Sequence, residues 1–212
     1  ELNRPVQTTL VNSNYTVIKN KTLAQLLSAA SVSTAYPFAL SSPPPAVQYS
    51  LLSQSGHDDY DGMAAAGSPL SKDYITTYNN STYMHTTYNS APLYAQQPVQ
   101  SFNTRGLPTW TKIRISGVNY FEYSVNIYDE KGRVIQVSKR NLTGGTSATT
   151  TQYNWAGQPL RIIQKHHKGQ TPAQISIVVT DMSYDDLGRL ILTQKKIRNN
   201  LVNGNALPAN WT

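Results

Sequence analysis

The sequence predicts a mainly β protein, an antiparallel β-hairpin sheet, with one short helix near residues 22–31 in a less regular N-terminal half. Two observations predict it. From residue 105 onward apolar and polar residues alternate with a period of two, the pattern of strands buried on one face. In the same half, three short segments share one turn grammar, and only short connections separate the strands they join, which favours antiparallel neighbours. A third feature, the uneven charge, divides the 212 residues into 1–104 and 105–212. The first part holds four basic residues (Arg4, Lys19, Lys21, Lys72) against five acidic ones (Glu1, Asp58, Asp59, Asp61, Asp73), and the second carries the remaining 14 basic and 6 acidic residues of a +7 chain.

Taken in order, the chain opens on Glu1-Leu2-Asn3-Arg4-Pro5-Val6, without an initiator Met, and reads as a mature or excised piece. In 19–31, Thr22 is placed to cap a helix, and Leu23, Leu26, Leu27 and Ala30 recur at i, i+3, i+4 and i+7, one helical face. Its apolar stripe is read as core packing rather than a partner groove. Three consecutive prolines, Pro43 to Pro45, favour a short polyproline II connection. Residues 71–101 are rich in Tyr, Thr, Asn and Ser and are consistent with irregular strands or long loops. The aromatics at Tyr74, Tyr78, Tyr83, Tyr88 and Tyr94 argue against plain disorder, because disordered chains are poor in them.

The second part is plainly β. Ile113 and Ile115 alternate with Lys112 and Arg114; Phe121, Tyr123, Val125 and Ile127 alternate with Glu122, Ser124, Asn126 and Tyr128; Ile175, Ile177 and Val179 form a third apolar row. The shared turn grammar appears at 128–135, 153–160 and 184–191: Tyr, then Asp or Asn, two variable residues, Gly, a polar residue and an apolar pair. The copies are Tyr128-Asp129…Gly132-Arg133, Tyr153-Asn154…Gly157-Gln158 and Tyr184-Asp185…Gly188-Arg189, with the tyrosines 25 and 31 residues apart (153 − 128 and 184 − 153). Asp or Asn caps the turn amides, and Gly supplies the left-handed backbone of a bulged hairpin. The middle copy departs at Asn154, Gln158 and Pro159, and a proline suits only a strand end, edge or bulge. The first residues read as a further copy without its Tyr-Asp, Asn3 standing where Gly belongs; Asn tolerates that conformation.

The composition excludes several chemistries. There is no Cys, hence no disulfide framework, thiolate metal site or Cys nucleophile. No apolar run approaches the roughly 18 residues of a membrane span. No Ser-His-Asp order, phosphate-binding Gly-rich loop or HExxH motif occurs, and only three Glu are present (Glu1, Glu122, Glu130); a glycosidase carboxylate pair is therefore not expected. His166 and His167 are adjacent in a strand-like run, pointing to opposite faces, and a shared metal is not expected. Asp58, Asp59 and Asp61 miss the EF-hand spacing and read as a solvated or capping loop. No cofactor is expected. The basic residues of 105–200 read first as a solvated sheet face; the alternative is a ligand face for a glycan or polyanion formed by Lys112, Arg114, Lys165 and Trp155. No Arg-rich run or RNA-binding aromatic signature accompanies them, so nucleic acid is not an expected partner. The Asn141-Leu142-Thr143 triplet is given no glycosylation.

The three turns resemble the RHS/YD-repeat family of large bacterial proteins. The likeness extends to Thr104-Arg105-Gly106-Leu107 and Thr111-Lys112-Ile113-Arg114-Ile115, and more weakly to the acidic-aromatic run at 57–62. It covers 105–200 well and 1–7 as a stub. The resemblance implies YD-repeat hairpins spiralling into a shell in a secreted or cell-surface bacterial protein. It further implies a non-enzymatic scaffold whose partners are the remainder of a longer repeat chain and an effector domain or surface glycan.

Overall fold

The computed structural model describes residues 7–11 and 49–212 apart from 119, 203 and 204, with side chains described from Leu51 on. The expected repeat stub, helix and triple proline lie outside the described residues. By contact the chain divides into two compact units, Glu1–Gln54 and Ser55–Thr212. In the first, β1 (Gln7–Val11) pairs antiparallel with β2 (Tyr49–Asp58) through Thr9↔Leu51 and Val11↔Tyr49.

The second unit is a meander. Beside the end of β2 run β3 (Thr104–Ile115), β4 (Tyr120–Tyr128), β5 (Val134–Arg140), β6 (Thr146–Tyr153), β7 (Pro159–Lys168), β8 (Gln174–Tyr184) and β9 (Leu190–Asn199), each antiparallel to the next in chain order. The expected antiparallel hairpin sheet is what forms. Residues 60–103 contain only a 3₁₀ turn at Thr76–Tyr78 and isolated bridges, and they lie as an irregular layer on one face of the sheet.

Register defines what that layer covers. Trp110, Val125, Ser138, Ala148, Lys165 and Ile177 are successive cross-strand partners, and so are Ile127, Gln136, Thr150, Ile163 and Val179. On one side of this face Tyr60, Met63, Ala66 and Leu70 bury Trp110, Val125 and Ile127; on the other Tyr78, Tyr83 and Met84 bury Ile163, Ile177 and Val179. Burying each such side chain is worth about 1.5–3 kcal/mol. Tyr78 and Tyr83, with Tyr74 packed against the first patch, thus serve as part of the lid of the core.

Between the two apolar patches the layer is fixed by buried glutamines. Gln136 Oε1 accepts the Ile75 N–H (2.9 Å) while its Nε2 donates to the Ile75 carbonyl (3.3 Å). Gln152 treats His85 in the same way, at 3.0 and 2.7 Å. Each side-chain amide pairs one backbone residue as a neighbouring strand would, satisfying groups that would be costly to bury alone. At the far edge Thr212 exchanges both backbone hydrogen bonds with Lys195 of β9 (2.7 and 3.0 Å), and Trp211 lies against Arg161 and Lys196.

Candidate functional site

The three repeat turns fold alike. The N–H of Asp129, Asn154 and Asp185 donates to the carbonyl four residues on (3.0, 2.9 and 3.0 Å), and the N–H of Gly132, Gly157 and Gly188 donates back (3.1, 3.1 and 2.9 Å). The glycines have φ of 71°, 87° and 78°, the left-handed conformation of a three-residue bulged hairpin loop. The ladder slips by one residue at Tyr128, Tyr153 and Tyr184.

The turn also closes on itself through side chains. Asp129 Oδ1 accepts the amides of Lys131 and Arg133 (both 2.9 Å), and Oδ2 accepts Arg133 Nε (2.6 Å). Asp185 does the same with Leu187 and Arg189, at 3.0, 2.8 and 2.7 Å. In the middle copy Asn154 Oδ1 accepts the Gln158 amide (2.8 Å) and Nδ2 donates to Gln158 Oε1 (2.7 Å). Both positions differ from the other two copies, and a neutral amide pair stands where they have an ion pair. The departure at Asn154 and Gln158 preserves the turn. The Asp185 carboxyl is held below its usual value, first by the Arg189 backbone N–H and then by its guanidinium.

Successive turns are linked. Arg133 Nη1 donates to the Asn154 carbonyl (3.2 Å), and Gln158 Nε2 donates to the Gly188 carbonyl (2.8 Å). Each repeat tyrosine reaches back one hairpin: Tyr128 to Pro108 (2.6 Å), Tyr153 to Val134 (3.0 Å) and Tyr184 to Pro159 (2.9 Å), in each case its hydroxyl to the carbonyl. Burial raises the pKa of all three, keeping the hydroxyls as donors. Pro159 is accommodated because it is the first residue of β7 and contributes its carbonyl.

A fourth turn of this geometry went unread in the sequence. Asn141 N–H donates to the Gly145 carbonyl (3.0 Å), Gly144 N–H returns to Asn141 (3.0 Å), and Asn141 Oδ1 accepts the Gly145 amide (2.9 Å). The signal was the Asn-x-x-Gly spacing without a preceding Tyr. Asn141 Nδ2 is committed to the His167 carbonyl at 2.7 Å. Two further residues without a sequence signal are His85 and Arg161, which converge on Asp181 Oδ1 at 3.0 and 2.7 Å. Burial raises the pKa of Asp181, but these two hydrogen bonds outweigh it and the net shift is downward.

Of the four residues of the candidate ligand face, Lys112 and Arg114 share the Phe121 ring, while Lys165 belongs to β7 and Trp155 to the second repeat turn. Lys112 donates to the Ala66 carbonyl (2.7 Å) with its ammonium 4.5 Å from the Phe121 ring centroid, and Arg114 also lies over Phe121. Lys165 stands across from Ala148 and Ile177. Their parity is that of the core row, so the stems of Lys112 and Arg114 line the covered face while Ile113 is exposed. Trp155 stands in the second repeat turn, two-thirds exposed. Among the described residues no group of three His, Asp or Glu could hold a metal, and no helix is long and apolar enough to cross a membrane. No family model, curated protein or solved structure matches the chain.

Proposed function

We propose that the chain is a non-enzymatic scaffold module of an RHS/YD-repeat surface or secreted protein. It is a β-shell building block whose partner is the remainder of its own longer repeat chain, able to enclose or present an effector. The observation that carries this reading is the turn-to-turn linkage, in which Arg133 and Gln158 each bond the carbonyl of the following turn. Such nearest-neighbour contacts suit a structure that grows by adding units. The surface setting rests on the resemblance of the turn grammar.

The test is growth. A second copy of residues 154–184 inserted after Tyr184 keeps β9 and the Thr212 backbone paired with it as the final edge. The expected product is monomeric, with a larger β signal in circular dichroism and a cooperative melt no lower than that of the parent. An insert that aggregates, or a melt that splits into two transitions, overturns the repeat-scaffold reading. Digestion of the chain by protease added to intact producing cells tests the surface setting.

A further inference from the structure

Two large aromatics beside the second repeat turn stay in solvent. Trp155 is 68% exposed and Tyr94 51%, although burying rings of this size is ordinarily among the larger gains of folding. Their backbones are joined, the Trp155 N–H donating to the Tyr94 carbonyl at 3.0 Å. Together with Asn89 and Gln96 they line a recess of ≈ 410 Å³, within the ~300–1,000 Å³ of small-ligand sites. A second recess of ≈ 260 Å³ shares Tyr94 and Trp155 as walls and continues past Leu93 and Asn154.

The polar wall is ordered in advance. Gln96 Nε2 donates to Asn89 Oδ1 and to the Tyr94 carbonyl, both at 3.0 Å. Among the described residues Asn89 Nδ2, with its two donor hydrogens, and Gln96 Oε1, an acceptor, are left for a ligand. Asn89 and Tyr94 both have left-handed backbones, φ 56° and 45°. For a tyrosine that is an uncommon and costly conformation, of the kind found at binding sites. The Lys131 ammonium lies 4.0 Å from the centroid of a Trp155 ring, covering one face of the indole and placing a single positive charge at the rim.

We propose that this paired recess binds a pyranose-containing oligosaccharide. A pyranose chair presents a C–H-lined face that lies flat on an indole or phenol ring. Its rim of hydroxyls both gives and takes hydrogen bonds, matching the free amide donor and acceptor. Among the described residues, those lining the two recesses include no carboxylate for a cationic ligand, and Lys131 alone is too little charge for a polyphosphate. Two recesses sharing the same aromatic walls suit a ligand longer than one ring. The site is independent of the scaffold reading and goes beyond it.

The test uses the whole 212-residue chain, titrated with cellohexaose, maltohexaose and chitohexaose and followed by tryptophan fluorescence and calorimetry. At least one should saturate, Trp155→Ala should weaken it about tenfold or more, and Trp155→Phe should retain more affinity than Ala. Asn89→Asp removes the amide donor while keeping a side chain that tolerates the left-handed backbone, and should weaken binding without moving the melting temperature. Circular dichroism of Trp155→Ala should match the parent, since the ring is exposed. Absence of saturation by any of the three sugars overturns the proposal. So does affinity unchanged in Trp155→Ala, or equal saturation by tyrosinamide or adenosine monophosphate.

Discussion

The first and third repeat turns share a skeleton, Tyr-Asp-x-x-Gly-Arg, and the same hydrogen bonds, yet they stand in different settings. In the first, the Asp129 and Arg133 side chains are 8% and 20% exposed; in the third, Asp185 and Arg189 are 22% and 73% exposed. The overlying layer makes the difference. Ser101 N–H bonds the Tyr128 carbonyl and Gln96 N–H the Tyr153 carbonyl, both at 2.8 Å, so residues 96–101 run across the first two turns. Arg133 also reaches the next turn and lies 4.7 Å from the Tyr153 ring centroid, whereas the hydrogen bonds and ion pair of Arg189 stay within its own turn. The local motif therefore sets the shape of a turn, and the layer above sets how much that shape is worth.

Removing the carboxylate should expose this difference most strongly. Asp129→Ala strands the Lys131 and Arg133 amides and a largely buried guanidinium, and should cost roughly 2–4 kcal/mol. Asp185→Ala leaves groups that water can reach, and should shift the urea midpoint far less. The middle turn supplies the sharper version. Asp129→Asn alone should destabilise, and adding Arg133→Gln, which copies the Asn154–Gln158 pair, should recover most of the loss. A double-mutant cycle in urea measures this coupling. Equal losses for Asp129→Ala and Asp185→Ala would show that burial adds nothing to the turn.

The glycines should separate the settings less. Gly132→Val and Gly188→Val each force a β-branched residue into a left-handed backbone, a cost of about 1–3 kcal/mol wherever the turn lies. Open space surrounds Gly132 apart from Leu107 Cδ1 at 3.8 Å, whereas a Cβ at Gly188 would meet Gln158 Nε2 at 2.9 Å. Gly188→Val should therefore also displace the Gln158 link. Both variants should melt several degrees lower in a thermal scan, and unchanged melting of both would refute the bulged turn.

What the sequence disclosed follows the same division. The three Tyr-led turns and the alternating strands after residue 104 were legible because alternation and the Tyr-Asp/Asn-x-x-Gly spacing are local patterns, enforced by backbone geometry; the Asn141 turn, with no Tyr before it, was not. The layer over residues 60–103 was not, because nothing local says that Gln136 will pair Ile75 or that Gln152 will pair His85, contacts 61 and 67 residues apart. A Gln in the core row of a strand was the available hint. Lys112 and Arg114 show the same limit: alternation places them on one face, but only the layer decides which face is covered. Trp155 was singled out in the sequence, while its companions Tyr94, Asn89 and Gln96 come from a loop with no periodicity to read.

The smallest expected effect is in acid, and it tests the comparison through charge. Asp185 owes its lowered pKa to hydrogen bonds inside an exposed turn, whereas Asp181 owes its own to His85 and Arg161 beneath the layer, against the opposing effect of burial. Both fold with a pKa below the ordinary 3.8. Their stabilisation is therefore complete above that value and is lost as the pH falls through it toward the folded values. Urea midpoints should decline from about pH 5 downward. Asp181→Asn should flatten that decline, and the flattening should survive 1 M salt, which screens exposed pairs far more than buried ones. Asp185→Asn should flatten it slightly at low salt and not at all at high salt. A salt-proof effect at Asp185 would mean that the third turn is shielded from solvent, and that the contrast with the first turn lies somewhere other than burial.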